Sequence, residues 1–106
     1  MYKRQLKYAA SLVVATHPDG QVSCESVKRY VAYGSSPRGL QALVRGARAY
    51  CLLSKRTAVS VSDIQRASKP SLRHRLILNF EGEAEGVDVD RIVEEVVASV
   101  PKPSEN

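Results

Sequence analysis

The part of this sequence best suited to chemistry is Ser36-Pro37-Arg38, which we expect to open a helix. Ser36 is a typical N-cap residue, and Pro37 fits the first helical position because its missing N–H would have no partner there. Arg38 then places a cation in the first turn, where the positive end of the helix dipole disfavours it. A nearby anion would offset this effect, and the arginine fork suits a phosphate or a carboxylate. Two alternatives stay open: Arg38 reaches a phosphate outside this chain, or it pairs locally or lies in water.

The helix that begins at Pro37 is predicted to be amphipathic. Its apolar stripe comprises Leu40, Leu43, Val44, Ala47 and Cys51, and its polar face comprises Arg38, Gln41, Arg45, Arg48 and Lys55. Gly46 weakens such a helix by about 1 kcal/mol relative to alanine, so we expect it to pack closely against a neighbouring element.

Several kinds of independent catalytic or binding site are absent from the sequence. It contains no G-x-x-x-x-G-K-[ST] loop and no glycine-rich dinucleotide motif. His17 and His74 stand at no metal-ligand spacing, and no serine has a plausible His–carboxylate pair. Cys24 and Cys51 are read as free thiols. No apolar run approaches the roughly 18 residues of a membrane span, and no signal-peptide pattern opens the chain. We therefore expect a cytoplasmic protein that does not bind a membrane.

Charge divides the chain unevenly along its length. Residues 1–75 hold 14 Lys/Arg against 3 Asp/Glu, whereas residues 76–106 hold 2 against 8. A basic body favours an anionic partner. Two classes besides a nucleotide-associated domain therefore stay open, a small nucleic-acid-binding helical protein and an adaptor bundle that binds an acidic protein. The acidic C-terminal third argues against nucleic acid, because it would repel a phosphate backbone.

The element pattern predicts a mainly all-α fold, a small bundle of about five helices. Predicted helices cover 6–15, a short segment capped by Ser23, the Pro37 helix, a helix capped by Ser60 and Asp63, and one capped by Asp88. Pro70 is expected to kink or restart the fourth of these helices. Residues 81–85 are expected to form an acidic loop, and 57–59 to pair with 76–78 as short strands. One domain then covers 1–100, followed by a flexible tail at 101–106.

Five motifs in order resemble the lid domain of MoxR-type AAA+ ATPases. They are Arg29-Tyr30-Val31-Ala32-Tyr33-Gly34, Ser35-Ser36-Pro37-Arg38-Gly39, Val59-Ser60-Val61-Ser62-Asp63-Ile64, Leu72-Arg73-His74-Arg75-Leu76, and the closing Glu85-Gly86-Val87 with Ile92-Val93-Glu94-Glu95-Val96-Val97. Gly39 departs from the family, in which alanine is common at that position. The family's P-loop, acidic metal-binding motif and first sensor are missing, because they belong to an N-terminal α/β domain.

This resemblance implies that Arg38 is the second sensor arginine, with Pro37 and Ser36 beside it at the nucleotide. ATP and Mg²⁺ would bind to the full-length protein and not to this fragment alone. The implied partners are the N-terminal AAA+ core, neighbouring subunits of a ring, expected to be a hexamer, and von Willebrand A domain proteins. The candidate interface residues are Arg45, Arg73, His74 and Arg75, and the isolated domain is expected to be a monomer. ATP hydrolysis by the full-length protein would then drive chaperone-like remodelling.

Overall fold

A computed structural model describes residues 3–21 and 23–103 of the chain. Within these ranges the structure contains six helices and two short strands. They are α1 (Lys3–Val14), α2 (Glu25–Tyr30), β1 (Val31–Tyr33), α3 (Pro37–Leu53), α4 (Val61–Leu72), β2 (Ile77–Leu78), α5 (Phe80–Glu85) and α6 (Val89–Ser99). The all-α prediction is confirmed, with one more helix than expected. Of the predicted tail, residues 104–106 lie outside the described residues.

Local capping chemistry explains where the long helices begin. The Ser36 hydroxyl accepts a hydrogen bond from the Arg38 backbone N–H, and Pro37 occupies the first position of α3. Ser60 and Asp63 form a reciprocal capping box at the start of α4. The Asp88 carboxylate accepts from the Asp90 N–H at the start of α6. These three predicted starts are confirmed, whereas α2 is preceded by Cys24 and not by the predicted Ser23.

The strand pair joins a different segment from the one predicted. β1 pairs antiparallel with β2, with Val31 opposite Leu78 and Tyr33 opposite Ile77. Residues 57–59, the predicted partner, form no strand. The pairing is extended by Asn79, whose N–H donates to the Tyr30 carbonyl at 2.8 Å. β1 follows α2 without a gap and takes the place beside β2 that residues 57–59 were predicted to take.

Two further predictions about helices are corrected. Residues 80–85 form α5 and not a loop, because Asn79 caps it through the Gly82 N–H and Gly86 ends it at a φ of 64°. Pro70 does not restart α4, which continues through it to Leu72. His74 and Arg75 therefore lie beyond the helix.

The apolar spacing of α1 predicts a buried face of Leu6, Ala9, Ala10, Val13 and Val14, and the structure confirms only part of it. Tyr8, Ala9, Leu12 and Val13 are buried, whereas the predicted Leu6 and Val14 are 45% and 53% exposed. Tyr8 buries its ring while its hydroxyl accepts from the Gln65 amide at 3.3 Å. The buried face of α1 thus includes Tyr8 and leaves out Leu6.

The core is centred on an antiparallel hairpin of α3 and α4. α1 and α6 pack against this hairpin, and α2 packs against α5 and α6. A β-carbon added at Gly46 would lie 3.1 Å from the Ala67 β-carbon, so the expected close packing at Gly46 is confirmed. The fully buried large side chains are Leu12, Leu43, Ile64, Leu72 and Ile92.

Candidate functional site

Arg38 lies in the first turn of α3, and its side chain points away from the core. The residue is exposed, as are Ser36 and Pro37 beside it. Among the described residues its guanidinium makes no hydrogen bond and no ion pair, although its backbone N–H is bound by Ser36 at 3.3 Å. The alternative of a local carboxylate partner is therefore not realised within those residues. The site consists of a fixed helix start that carries a free guanidinium.

The turn after α1 fixes the segment that leads into this helix start. The Ser35 N–H donates to the Thr16 hydroxyl at 2.9 Å. His17 Nε2 lies 2.8 Å from the Ser35 carbonyl oxygen, which can only accept, so this nitrogen carries the proton. Ser35 is held on both of its backbone groups, and this anchors the residue just before the Ser36 cap.

Gly34 allows this anchoring by permitting a close approach of two backbone segments. A β-carbon at Gly34 would lie 2.7 Å from the Thr16 carbonyl carbon and oxygen, closer than real β-carbons come. Glycine is therefore required here by space, not by its backbone angles.

Gly39, the position that departs from the family pattern, is buried against Ser35. An added β-carbon would lie 1.7 Å from the Ser35 hydroxyl and 3.3 Å from Leu72 Cδ2. The glycine lets the first turn of α3 sit directly on Ser35 and the end of α4.

The other predicted interface residues fall into two groups. Arg45 is exposed on the same face of α3, two turns from Arg38, and has no carboxylate partner among the described residues. His74 is also exposed. By contrast, Arg73 forms a bidentate pair with Asp90, at 2.8 and 2.9 Å. Arg75 donates to the Ser71 carbonyl at 3.0 Å. The structure thus leaves Arg38 and Arg45 exposed on one face of α3, whereas Arg73 and Arg75 make contacts within the domain.

The ion pairs of the domain show which cations have been neutralised. Arg29 contacts Glu81 at 3.2 Å, Lys69 contacts Glu94, and Arg56 holds Asp63 through two nitrogens. Hydrogen bonding from Arg56 lowers the pKa of Asp63, burial opposes this, and hydrogen bonds from Ser60 add to it. Arg73 likewise lowers the pKa of Asp90. The three arginines of α3, Arg38, Arg45 and Arg48, have no ion pair among the described residues, and no Asp or Glu occurs between Glu25 and Asp63.

Neither a metal centre nor a disulfide is built into the described part of the chain. No group of three His, Cys, Asp or Glu side chains there is arranged to hold a metal ion. Cys24 and Cys51 are free thiols, as predicted. No helix among these residues is long and apolar enough to cross a membrane.

Thr16 and His17 are functional candidates that sequence reasoning missed. The composition of the run His17-Pro18-Asp19-Gly20 predicts only a turn. Nothing in its composition indicates that a turn 18 residues upstream binds the residue before the helix cap. The only available signal is a histidine at a helix end, and such a residue usually has a structural role.

Comparison with known proteins places the whole fold in one family. The model of the AAA lid domain family matches residues 25–96. A crystal structure of a candidate ATPase from Cytophaga hutchinsonii superposes with a TM-score of 0.90 and 33% identity, over 97% of this chain and 31% of that one.

Two relatives carry the MoxR name. "Chaperone MoxR1" from Mycobacterium tuberculosis is 30% identical over 99 residues, 93% of this chain and 26% of that protein. "Protein MoxR" from Paracoccus denitrificans is 36% identical over 78 residues, 72% of this chain and 23% of that protein. The chain thus spans about a quarter of the length of these relatives. It belongs to the AAA lid domain family, and it is a lid of the MoxR type.

Proposed function

We propose that this lid closes over ATP bound to a separate AAA+ core domain and supplies Arg38 to the γ-phosphate. One observation supports this proposal above the others. Arg38 is an exposed arginine with no partner among the described residues, in the first turn of a helix whose start is capped and braced. A guanidinium placed in this way has its hydrogen-bond donors available for an external anion. The helix start that carries it is already fixed, so little of the protein has to rearrange when the anion binds.

The hydrogen bonds of Ser35 explain how phosphate binding at Arg38 would move the rest of the lid. Phosphate bound to Arg38 pulls on the first turn of α3, which is joined through Ser35 to the turn after α1. Loss of the γ-phosphate on hydrolysis removes the anion that holds the lid closed. The lid then moves as one body relative to the core domain, because α3 and α4 pack together in the lid's own core. Arg45, on the same face, is placed to contact the core domain or an adjacent subunit.

Chaperone-like remodelling is the expected use of this motion. A relative with 30% identity is named a chaperone, and the full-length protein would bind ATP with Mg²⁺ through its core domain. This chain contributes no metal ligand in that scheme, and its role is to sense the nucleotide and to move. Ring neighbours and von Willebrand A domain proteins are the proposed partners.

The decisive test is the ATPase activity of the full-length protein with Arg38→Ala. We expect turnover to fall by about tenfold or more, because a contact made to the transferring phosphoryl group is lost. Arg38→Lys is expected to recover only part of the activity, since lysine keeps the charge and loses the planar fork. Arg91→Ala is the matched control, because Arg91 is exposed on α6 and has no ion pair among the described residues. Unchanged turnover in a folded Arg38→Ala protein would overturn the sensor role and leave the family assignment intact.

A further inference from the structure

His17 provides the hydrogen-bond donor for a buried backbone carbonyl next to the candidate site. Its Nε2 lies 2.8 Å from the carbonyl oxygen of Ser35, a residue that is 1% exposed. No other group in the described ranges donates to this oxygen. A buried carbonyl without a partner is unfavourable, so the backbone around Ser35 is expected to shift when this donor is lost.

The imidazole of His17 is itself held in place from several sides. Its backbone carbonyl accepts from the Ser23 hydroxyl and from the Gly20 N–H at 3.2 Å, and its N–H donates to the Val14 carbonyl at 3.1 Å. The ring lies against Gly34, where an added β-carbon would be 2.8 Å from its Cγ. The donor that meets Ser35 therefore has one defined position.

The bond from His17 acts on a different peptide unit from the bond made by Thr16. The Thr16 hydroxyl accepts from the Ser35 N–H, which belongs to the peptide between Gly34 and Ser35. The Ser35 carbonyl belongs to the next peptide, which ends in the nitrogen of Ser36. Because a peptide unit is planar, a bond to this carbonyl also fixes the orientation of the Ser36 N–H and Cα.

Ser36 passes this orientation on to the first turn of α3. Its hydroxyl accepts from the Arg38 N–H at 3.3 Å, and its carbonyl accepts from the Gly39 N–H at 2.9 Å. Both acceptors move when the peptide between Ser35 and Ser36 rotates. His17 is thus connected to the backbone of Arg38 through one peptide plane and the helix cap.

We propose that His17 is a positioning residue for Arg38, and that its Nε2–H sets the direction in which the arginine side chain leaves α3. This inference rests on the proposed function, because the direction matters only if Arg38 reaches a phosphate. His17 does not touch the nucleotide in this scheme, since its donor is used by Ser35. Misdirection of the arginine should slow hydrolysis more than it weakens ATP binding, because the contact is needed most in the transition state.

The test compares His17→Gln with His17→Asn in the full-length protein. Both variants remove the ring and its titration, and both carry a side-chain amide that can donate. The glutamine amide nitrogen is as many bonds from Cβ as the histidine Nε2, whereas the asparagine nitrogen is one bond short. We expect His17→Asn to lower kcat about three- to tenfold with KM for ATP nearly unchanged, and His17→Gln to recover most of the turnover.

A double-mutant cycle with Arg38→Ala distinguishes positioning from a general structural role. If His17 acts through the arginine, His17→Asn should cause no further loss of kcat in the Arg38→Ala background. If His17 only stabilises the fold, the same loss should appear in both backgrounds.

Amide hydrogen exchange in the 106-residue chain tests the connection without ATP. Exchange at the buried Gly39 N–H should be faster in His17→Asn than in His17→Gln, whereas exchange at Leu43, in the core of α3, should be the same in both. This measurement stays informative when turnover is affected by other parts of the full-length protein.

Three results would overturn the positioning role of His17. They are equal turnover of the Asn and Gln variants, a loss by His17→Asn that persists in the Arg38→Ala background, and equal Gly39 exchange in the two variants. Full turnover of Arg38→Ala would instead reject the sensor role, and with it any effect of His17 on hydrolysis. The Gly39 exchange would then still show whether His17 fixes the helix start, so the two failures are distinguishable.

Discussion

Lys55 adopts a backbone φ of 57°, a left-handed conformation that crowds its β-carbon. The strain arises because α3 ends in a Schellman arrangement. The Arg56 N–H donates to the Cys51 carbonyl at 3.1 Å, and the Lys55 N–H donates to the Leu52 carbonyl at 2.9 Å. Glycine is the usual residue at this position.

Replacement of Lys55 by glycine should therefore stabilise the fold. We expect Lys55→Gly to raise the free energy of unfolding by about 1 kcal/mol, because the left-handed strain is removed. Urea unfolding followed by circular dichroism measures this change. Ser54→Gly is the matched control, since Ser54 has a φ of −88° and glycine gains nothing there. A Lys55→Gly protein no more stable than wild type would show that the left-handed strain at Lys55 is negligible.

At the start of α4, one residue, Asp63, takes part in both a capping box and an ion pair. Asp63 accepts from the Ser60 N–H at 2.9 Å and from Arg56 at 2.8 Å, and it is buried. It thus completes the capping box whose N-cap residue is Ser60, and it neutralises the arginine of the preceding loop. Asp88 caps α6 without an ion pair in the described part of the chain.

Replacement of Asp63 should consequently cost more than replacement of Asp88. We expect Asp63→Ala to lower the free energy of unfolding by about 2 kcal/mol, and Asp88→Ala by about 1 kcal/mol. Equal losses from the two substitutions in urea unfolding would show that the Arg56 contact adds nothing to the cap.

The contribution of Asp63 to the free energy of unfolding should decrease as the pH falls. Its folded-state pKa is lowered, chiefly by the hydrogen bond from Arg56. The stabilisation is therefore complete above the unfolded pKa of about 3.9 and is lost as the pH falls below it through the folded value. The difference in unfolding free energy between wild type and Asp63→Asn should shrink as the pH falls below about 4. A difference that stays constant down to acid would contradict this assignment.

The helix starts were predictable because each depends on residues two or three positions apart, as at Ser36, Ser60 and Asp88. The strand partner was not, because the pairing of Val31 with Leu78 depends on contacts far apart in sequence. The Arg73–Asp90 pair is equally non-local, so the sequence left open whether Arg73 faces outward. The position of Arg38 was predictable from the cap, but its bracing by Thr16 and His17 was not.

At the scale of the whole molecule, the candidate site is connected to α1 where Gly34 and Ser35 contact Thr16 and His17, a contact that we call the joint. Gly34 meets the Thr16 backbone, and neither backbone can move aside without shifting a helix. We expect Gly34→Ala to lower the free energy of unfolding by about 1–3 kcal/mol, as in other overpacked sites. It should also reduce ATP turnover of the full-length protein, because the Ser36 cap shifts.

Gly20→Ala serves as the comparison for this experiment. A β-carbon there would lie 3.0 Å from the Ser23 hydroxyl and 3.3 Å from the His17 carbonyl oxygen, a looser approach than the 2.7 Å at Gly34. Thermal unfolding of both variants, together with turnover, measures the two effects. If Gly34→Ala is as stable and as active as Gly20→Ala, the joint has no role in positioning Arg38.

The strand pair has a consequence for the order in which the domain folds. It joins residues 31–33 to 77–78, so it closes a loop that contains all of α3 and α4. Because loop closure is entropically costly, the α3–α4 hairpin should form first and the strands last. Amide hydrogen exchange should accordingly be slowest in Leu43 and Ile64 and faster in Val31. The segment that carries the Ser36 cap follows β1 directly. Separation of the two strands would therefore shift Arg38 while the helices stay folded.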